Sequence, residues 1–241
     1  MVCQMIIQKI MDVTTEWLKR RERFGAFRFR LTRLLYRLNP FFPELRNIRW
    51  DFILKYLPTL KMTFWKGQKV LDIGCVDSLL IYELKSRGYS VAGLDIRDYG
   101  VKLPNNIGFF KCNILEELPK DLTKFKFTYI IATSVIELLG TGKYEENEIE
   151  QGADRKAFEN IHSLLEDDGY FIFSVPVFHW RFIGGRAYTL GNIMKLIQGL
   201  FYPFEITQCG GHICGAFVKL LIQPDGTRNL LSYSFIKDKK K

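Results

Sequence analysis

Two short stretches hold the residues best suited to chemistry: KVLDIGCVDS at residues 69–78 and GLDI at residues 93–96. Asp95 closes an apolar run, and the two oxygens of a carboxylate there match the vicinal hydroxyls of a ribose. Gly74 closes another apolar run and begins a turn. A turn that cradles a pyrophosphate continues as GxGxxG and lays the phosphates on a helix N-terminus. Here only the first glycine is present, and Cys75, Val76, Asp77 and Ser78 follow. Asp77 would set a carboxylate beside two phosphate charges, which is unfavourable, whereas Asp72 and Asp77 together attract a cation.

The sign of the charge therefore favours S-adenosylmethionine (SAM), which carries a sulfonium and an ammonium, over a nicotinamide dinucleotide. The elements around these residues agree. From Lys69 the chain alternates short β-rich runs with amphipathic stretches. Strands are expected at Val70–Ile73, Ser90–Leu94, Gly108–Lys111, Phe127–Ala132 and Tyr170–Val175, with helices at Ser78–Arg87, near Leu118–Thr123 and at Arg155–Leu165. Such alternation builds a parallel sheet covered on both faces. A helix near Leu190–Leu200 then precedes two apolar runs, Phe204–Gln208 and His212–Ile222, joined by Cys209-Gly210-Gly211. A Gly-Gly turn between strands reads as a hairpin. The expected fold is α/β: a Rossmann-like doubly wound sheet with an antiparallel C-terminal hairpin strand, plus N-terminal helices. Residues 1–60 form a basic helical extension and residues 61–241 the main domain.

The order of these motifs resembles the class I SAM-dependent methyltransferases. VLDIGC and GLDI look like the first two motifs of that family. FKCNI at residues 110–114 is similar to the third-strand region, IIATSVIE at 130–137 to the fourth-strand motif, and LEDDGYFI at 165–172 to the turn into the fifth strand. The resemblance implies that Asp72 and the backbone around Gly74 and Cys75 hold the methionine amino group. It implies that Asp95 binds the ribose, that Ile96 packs on adenine, and that Asn113 with Ile114 meets the adenine edge. Thr133 and Ser134 would lie beneath the methyl group. This chain departs from the family pattern at four places. Ser78 replaces the last glycine of the turn, where it either crowds the methionine carboxylate or caps the next helix. Asn113 replaces an Asp, Thr128 replaces an Asp at the start of the fourth strand, and Leu138 stands where many relatives carry His.

Methyl transfer from a sulfonium is an in-line displacement, helped for a hydroxyl acceptor by a general base. Glu137, His179 and Tyr188 are the candidates beyond strand ends, against the plainer readings that Glu137 caps or pairs, His179 is structural and Tyr188 packs on the next helix. The expected reaction is O-methylation of a small-molecule or saccharide-like acceptor. Two other readings stand beside it: an RNA methyltransferase that uses the basic N-terminal arm, and a degenerate scaffold whose cofactor loop is disabled by Val76 and Ser78. The stretch from Gly140 to Asp154 carries Glu145, Glu146, Glu148 and Glu150, and reads as a lid or a solvated connector.

The net charge is +9, from 35 basic and 26 acidic residues. Much of the excess lies between Lys19 and Arg37, where Phe27, Leu31, Leu34, Leu35 and Leu38 form one helical stripe. That region can cover the sheet, touch an anionic membrane surface, or bind RNA. No apolar run approaches the roughly 20 residues that span a bilayer. Five scattered cysteines without a CxxC pair suit free thiols in a reducing compartment, so a cytoplasmic protein without a metal site is expected.

Overall fold

The structure is a computed structural model that describes residues 27, 30, 31, 48–60, 67–99, 103, 106–142, 150–177, 185–222, 228 and 229. The stripe of apolar residues between Phe27 and Leu38 falls mostly outside these, as do His179 and the glutamates at 145, 146 and 148. Elements follow in the order α1 (Ile48–Tyr56), β1 (Lys69–Ile73), α2 (Leu80–Ser86), β2 (Ser90–Asp95), β3 (Ile107–Lys111), α3 (Lys120–Thr123) and β4 (Phe127–Thr133). Next come α4 (Ala153–Leu164), β5 (Leu165–Pro176), α5 (Leu190–Ile197), β6 (Phe201–Cys209), β7 (His212–Lys219) and a two-residue pair, β8 (Leu221–Ile222) with β9 (Arg228–Asn229). Seven strands form one sheet in the order β3-β2-β1-β4-β5-β7-β6. The first five run parallel, and β7 is antiparallel to both β5 and β6. The doubly wound fold and its reversed closing hairpin are as the sequence implied.

Alternation along each strand divides the interior into two cores. Leu71, Ile73, Leu94, Ile130, Ala132, Phe171 and Phe173 face α4 and α5, where Phe158, Ile161 and Ile193 pack on them. Val70, Val91, Ile131, Ile172 and Ala216 face the other way, onto α1 and α2 through Ile53, Leu57, Ile81 and Leu84. Rings knit the first core: Phe158 meets Phe171 edge-on at 5.2 Å, and Phe173 stacks on Phe217 at 5.1 Å. Such pairs contribute about 0.5–1.5 kcal/mol each beyond the area they bury.

The second core is also tied by charge. Glu83, buried on α2, pairs with Arg87 at 2.9 Å and with Arg30 at 2.8 Å. Arg87 in turn donates to the Leu57 carbonyl at 2.7 Å, satisfying a carbonyl just beyond the C-terminus of α1. Arg30 and the end of α1 are thus both tied to α2.

Two strands run further than their patterns suggest. β6 begins at Phe201 and includes Pro203, which a sheet tolerates because β6 is the edge strand and its register shifts between Pro203 and Glu205. β5 begins at Leu165 and carries Asp168 with φ 61°, a left-handed residue just before Gly169. No helix among the described residues is long and apolar enough to cross a membrane.

Candidate functional site

β1 and β4 lie side by side, but the chain proceeds from β1 towards β2 and β3, and from β4 towards β5. Their carboxyl ends therefore diverge and leave a crevice, the place where ligands of open α/β sheets bind. A cavity of about 300 Å³ opens there. Its floor is Ile73, Gly74 and Ser78, one wall is Leu94, Asp95, Ile96 and Arg97, and Cys112, Asn113 and Ile114 continue that wall. Thr133, Ser134, Val135, Leu138 and Leu139 form the opposite side, and Arg49 and Trp50 reach in from α1.

Gly74 is required at the turn. Its φ of 71° is left-handed, and a Cβ there would lie 2.3 Å from Cγ2 of Val135. Its N–H donates to the Leu94 carbonyl at 2.8 Å, which locks the turn to β2. Cys75–Asp77 then form a single 3₁₀ turn. Ser78 Oγ accepts from the Leu80 N–H at 3.0 Å at the opening of α2, and the residue also borders the cavity.

Asp95 sits at the end of β2, almost fully buried. Its oxygens accept from the Val76 N–H and the Arg97 N–H, both at 3.0 Å, and Arg97 lays its guanidinium across them. Asn113 accepts from the Leu115 N–H at 3.0 Å through Oδ1, which orients its amide group and leaves its second lone pair free in principle. Ser134, at the carboxyl end of β4, has φ 53°, unusual for a residue with a side chain. Its hydroxyl accepts from Nη1 of Arg49, which also lies 3.4 Å from Nε2 of His212 at the start of β7. Burial, and then the nearby Arg49 charge, hold the His212 pKa down at about 4, so the ring is neutral at ordinary pH.

Eight of the ten cofactor residues expected from the sequence line this cavity: Gly74, Ser78, Asp95, Ile96, Asn113, Ile114, Thr133 and Ser134. Asp72 and Cys75 do not; both are buried beneath the turn. Asp72 shares a strand face with Val70, so it points into the second core. Its Oδ2 has no hydrogen-bond partner, and burial pushes its pKa to about 7 against a lowering hydrogen bond from Ser78. The Cys75 thiol packs close under Gly93, and burial raises its pKa well above the usual thiol range.

Of the three expected catalytic residues, His179 lies outside the described residues, and neither Glu137 nor Tyr188 lines the cavity. Tyr188 is buried, its hydroxyl donating to Asp154 Oδ2 at 3.3 Å and its backbone N–H to the Pro176 carbonyl at 3.0 Å. It packs against the next element, the plainer of its two readings. Glu137 lies on a 3₁₀ turn just past Val135 but is fully buried and absent from the cavity wall. Neither of its oxygens has a hydrogen-bond partner, and burial pushes its pKa to about 7. Sequence reasoning missed Arg49 and Trp50, which come from an element preceding the first strand, and Arg97, two residues past Asp95. The acidic stretch after β4 is pinched at its base, where the Glu150 N–H donates to the Gly140 carbonyl at 3.0 Å. Arg186 clasps that base through the carbonyls of Leu139, Gly140 and Glu150.

This strand order with a glycine turn after β1 and an acid at the end of β2 is the Rossmann-like fold of class I methyltransferases. A methyltransferase-domain family model matches residues 20–199. The chain belongs to that family, whose cofactor is S-adenosylmethionine. Among solved structures it resembles the N-methyltransferase NodS of Bradyrhizobium japonicum in complex with S-adenosylhomocysteine, at 16% identity and TM-score 0.56, over 76% of this chain and 89% of that one. A TehB-like SAM-dependent methyltransferase of Corynebacterium glutamicum matches at 18% identity and TM-score 0.50, over 71% and 87% of the two chains. A putative SAM-dependent methyltransferase of Listeria monocytogenes matches at 14% identity and TM-score 0.50, over 71% and 98%. No curated protein matches the chain in sequence.

Proposed function

We propose that this chain transfers a methyl group from SAM to an oxygen of a small-molecule or saccharide-like acceptor. The observation that carries the cofactor half of this reading is the pairing of Gly74 with Asp95 across one cavity: a backbone that nothing bulkier than glycine can occupy, beside a buried carboxylate. The cavity suits the group. Asp95 would receive the ribose hydroxyls, Ile96 the face of adenine, and Asn113 with Ile114 its edge. The backbone of Gly74 and Cys75 would meet the methionine end. Asp72 would act on the methionine ammonium through its field from below the turn. Bound there, SAM supplies an electrophilic methyl on positive sulfur.

What the chain itself contributes is alignment and the exclusion of water. Thr133 and Ser134 end β4 beside Arg49, and Val135, Leu138 and Leu139 make that end of the cavity apolar. A cavity of about 300 Å³ with a mixed apolar and polar wall suits a small acceptor. Glu137 has an ionisation near neutrality, as a proton acceptor requires, and stands one short turn from Ser134. To serve as the base it has to be uncovered by movement of its turn. His179 is the other candidate.

Calorimetry with SAM and S-adenosylhomocysteine tests the reading directly. Saturable binding of both, lost in Asp95→Ala, is the expected result. Transfer of labelled methyl from SAM to a panel of hydroxyl-bearing acceptors then tests the acceptor class. A folded wild-type protein that binds neither nucleoside removes the proposal and leaves a scaffold.

A further inference from the structure

The carboxylate of Asp95 has no hydrogen-bonding capacity to spare. Such a group offers about four lone-pair directions, and four donors fill them. The Val76 N–H reaches Oδ2 at 3.0 Å and the Arg97 N–H reaches Oδ1 at 3.0 Å. Arg97 adds Nε on Oδ1 at 3.2 Å and Nη2 on Oδ2 at 3.3 Å. The first two donors belong to the backbone of the turn and of the residues after β2, so they persist whatever enters the cleft. The last two belong to a side chain on the cavity wall that is 26% exposed, against 3% for the Asp95 side chain.

A guanidinium presents two donors side by side, one to each carboxylate oxygen. A ribose presents its two vicinal hydroxyls to a carboxylate in the same manner. We propose that Arg97 is an internal stand-in for the ribose hydroxyls of the cofactor: its guanidinium holds Asp95 and is exchanged for the diol when a nucleoside binds. The inference rests on the methyltransferase reading and adds to it a gate built into the cofactor site. The exchange needs no rearrangement of the sheet. The two backbone donors keep the carboxylate oriented, and the released guanidinium, already at the rim, turns into water.

The gate sets affinity as well as order of events. Ribose has to displace two charge-assisted hydrogen bonds before forming its own, so the intrinsic strength of the diol contact is masked in the wild-type protein. Removing the fork unmasks it. Arg97→Leu keeps the backbone N–H on Oδ1 and deletes the competing donors. It should lower the dissociation constants of S-adenosylhomocysteine and of adenosine by about tenfold, the equivalent of one charge-assisted hydrogen bond. 2′,3′-Dideoxyadenosine, which offers no diol, should bind both proteins alike. The same variant should melt at a lower temperature by itself, because a buried carboxylate loses its partner, and show a larger rise in melting temperature on adding adenosine.

Calorimetry of the wild-type and Arg97→Leu proteins with the three ligands decides the matter. Arg97→Lys, which retains the charge without the fork, guards against a leucine variant that fails to fold, and should bind adenosine more tightly than wild type by a smaller factor. Adenosine affinity that is unchanged or weakened in the folded variants overturns the inference, as does an equal gain for the dideoxy compound; in those cases the methyltransferase reading stands. Absence of any nucleoside binding by wild type and variants overturns both.

Discussion

Glu137 is the sharpest test of the electrostatics, because it is fully buried and neither oxygen has a hydrogen-bond partner. Burial raises its pKa from 4.5 to about 7. A group whose pKa is raised by folding stabilises the folded state fully only below its unfolded pKa, and that contribution is lost as pH climbs through the folded value. For Glu137 the window runs from about pH 4.5 to about pH 7. At about 1.4 kcal/mol per pH unit, the folded wild type loses about 2–3 kcal/mol between pH 5 and pH 8 from this residue. Glu137→Gln has nearly the same shape and no charge, so it escapes that loss. Asp72 titrates in a similar range in both proteins, and its share cancels in the comparison. Urea unfolding followed by far-ultraviolet circular dichroism at pH 5 and pH 8 should therefore show the variant gaining about 2–3 kcal/mol on wild type across the interval, or about 1 M in midpoint. An advantage equal at the two pH values would refute the reasoning, since it would mean that the carboxylate is neutral throughout or finds a partner when it ionises.

Other outcomes follow from the same geometry. Asp72, with a pKa raised to about 7, has to release a proton when a cation binds nearby; SAM binding should weaken as pH falls below about 7, with protons released into the buffer, and Asp72→Asn should lose that dependence in calorimetry. Gly74→Ala should lower stability by about 1–3 kcal/mol through its left-handed φ and its clash with Val135, and should abolish SAM binding; adding Val135→Ala should restore part of the stability and leave the backbone strain of the alanine. Arg87→Ala should cost about 2–4 kcal/mol, read by urea unfolding, because buried Glu83 loses an ion pair and the end of α1 loses a donor to the Leu57 carbonyl. If the acceptor is small, RNA should bind no more tightly than other polyanions at physiological ionic strength, and deleting residues 1–45 should leave SAM affinity unchanged.

The sheet was legible because its central strands are largely buried on both faces and so read as mostly apolar runs, interrupted by Asp72 in β1 and Ser174 in β5. Gly74 and Asp95 were legible for a different reason: each ends such a run, and a glycine or an acid there stands out. Strand period also bears on Asp72. Leu71 and Ile73 face one core, so Asp72 must face the other, and a two-residue alternation places its side chain under the turn instead of in the cleft. The inward turn of Glu137 and the docking of Tyr188 on Asp154 depend on segments far apart in sequence, which no local pattern records. The same is true of Arg49, whose contact with Ser134 joins residues 85 positions apart.

Charge in this cleft is arranged so that no stage leaves Asp95 bare. The acid is 3% exposed, and an isolated ionised carboxylate in such a place is costly by several kcal/mol. Two backbone donors offset part of that cost and cannot leave. Arg97 offsets more of it, and its partial exposure lets it withdraw into solvent without becoming a buried, unpaired cation itself. A fixed, permanently free carboxylate would bind ribose more tightly but would burden the fold whenever ribose was absent. A fixed ion pair would stabilise the fold but exclude the nucleoside. A donor that can be exchanged meets both demands at the expense of affinity. In the Arg97→Leu protein the lower melting temperature and the tighter adenosine binding should therefore appear together, as two readings of one missing fork.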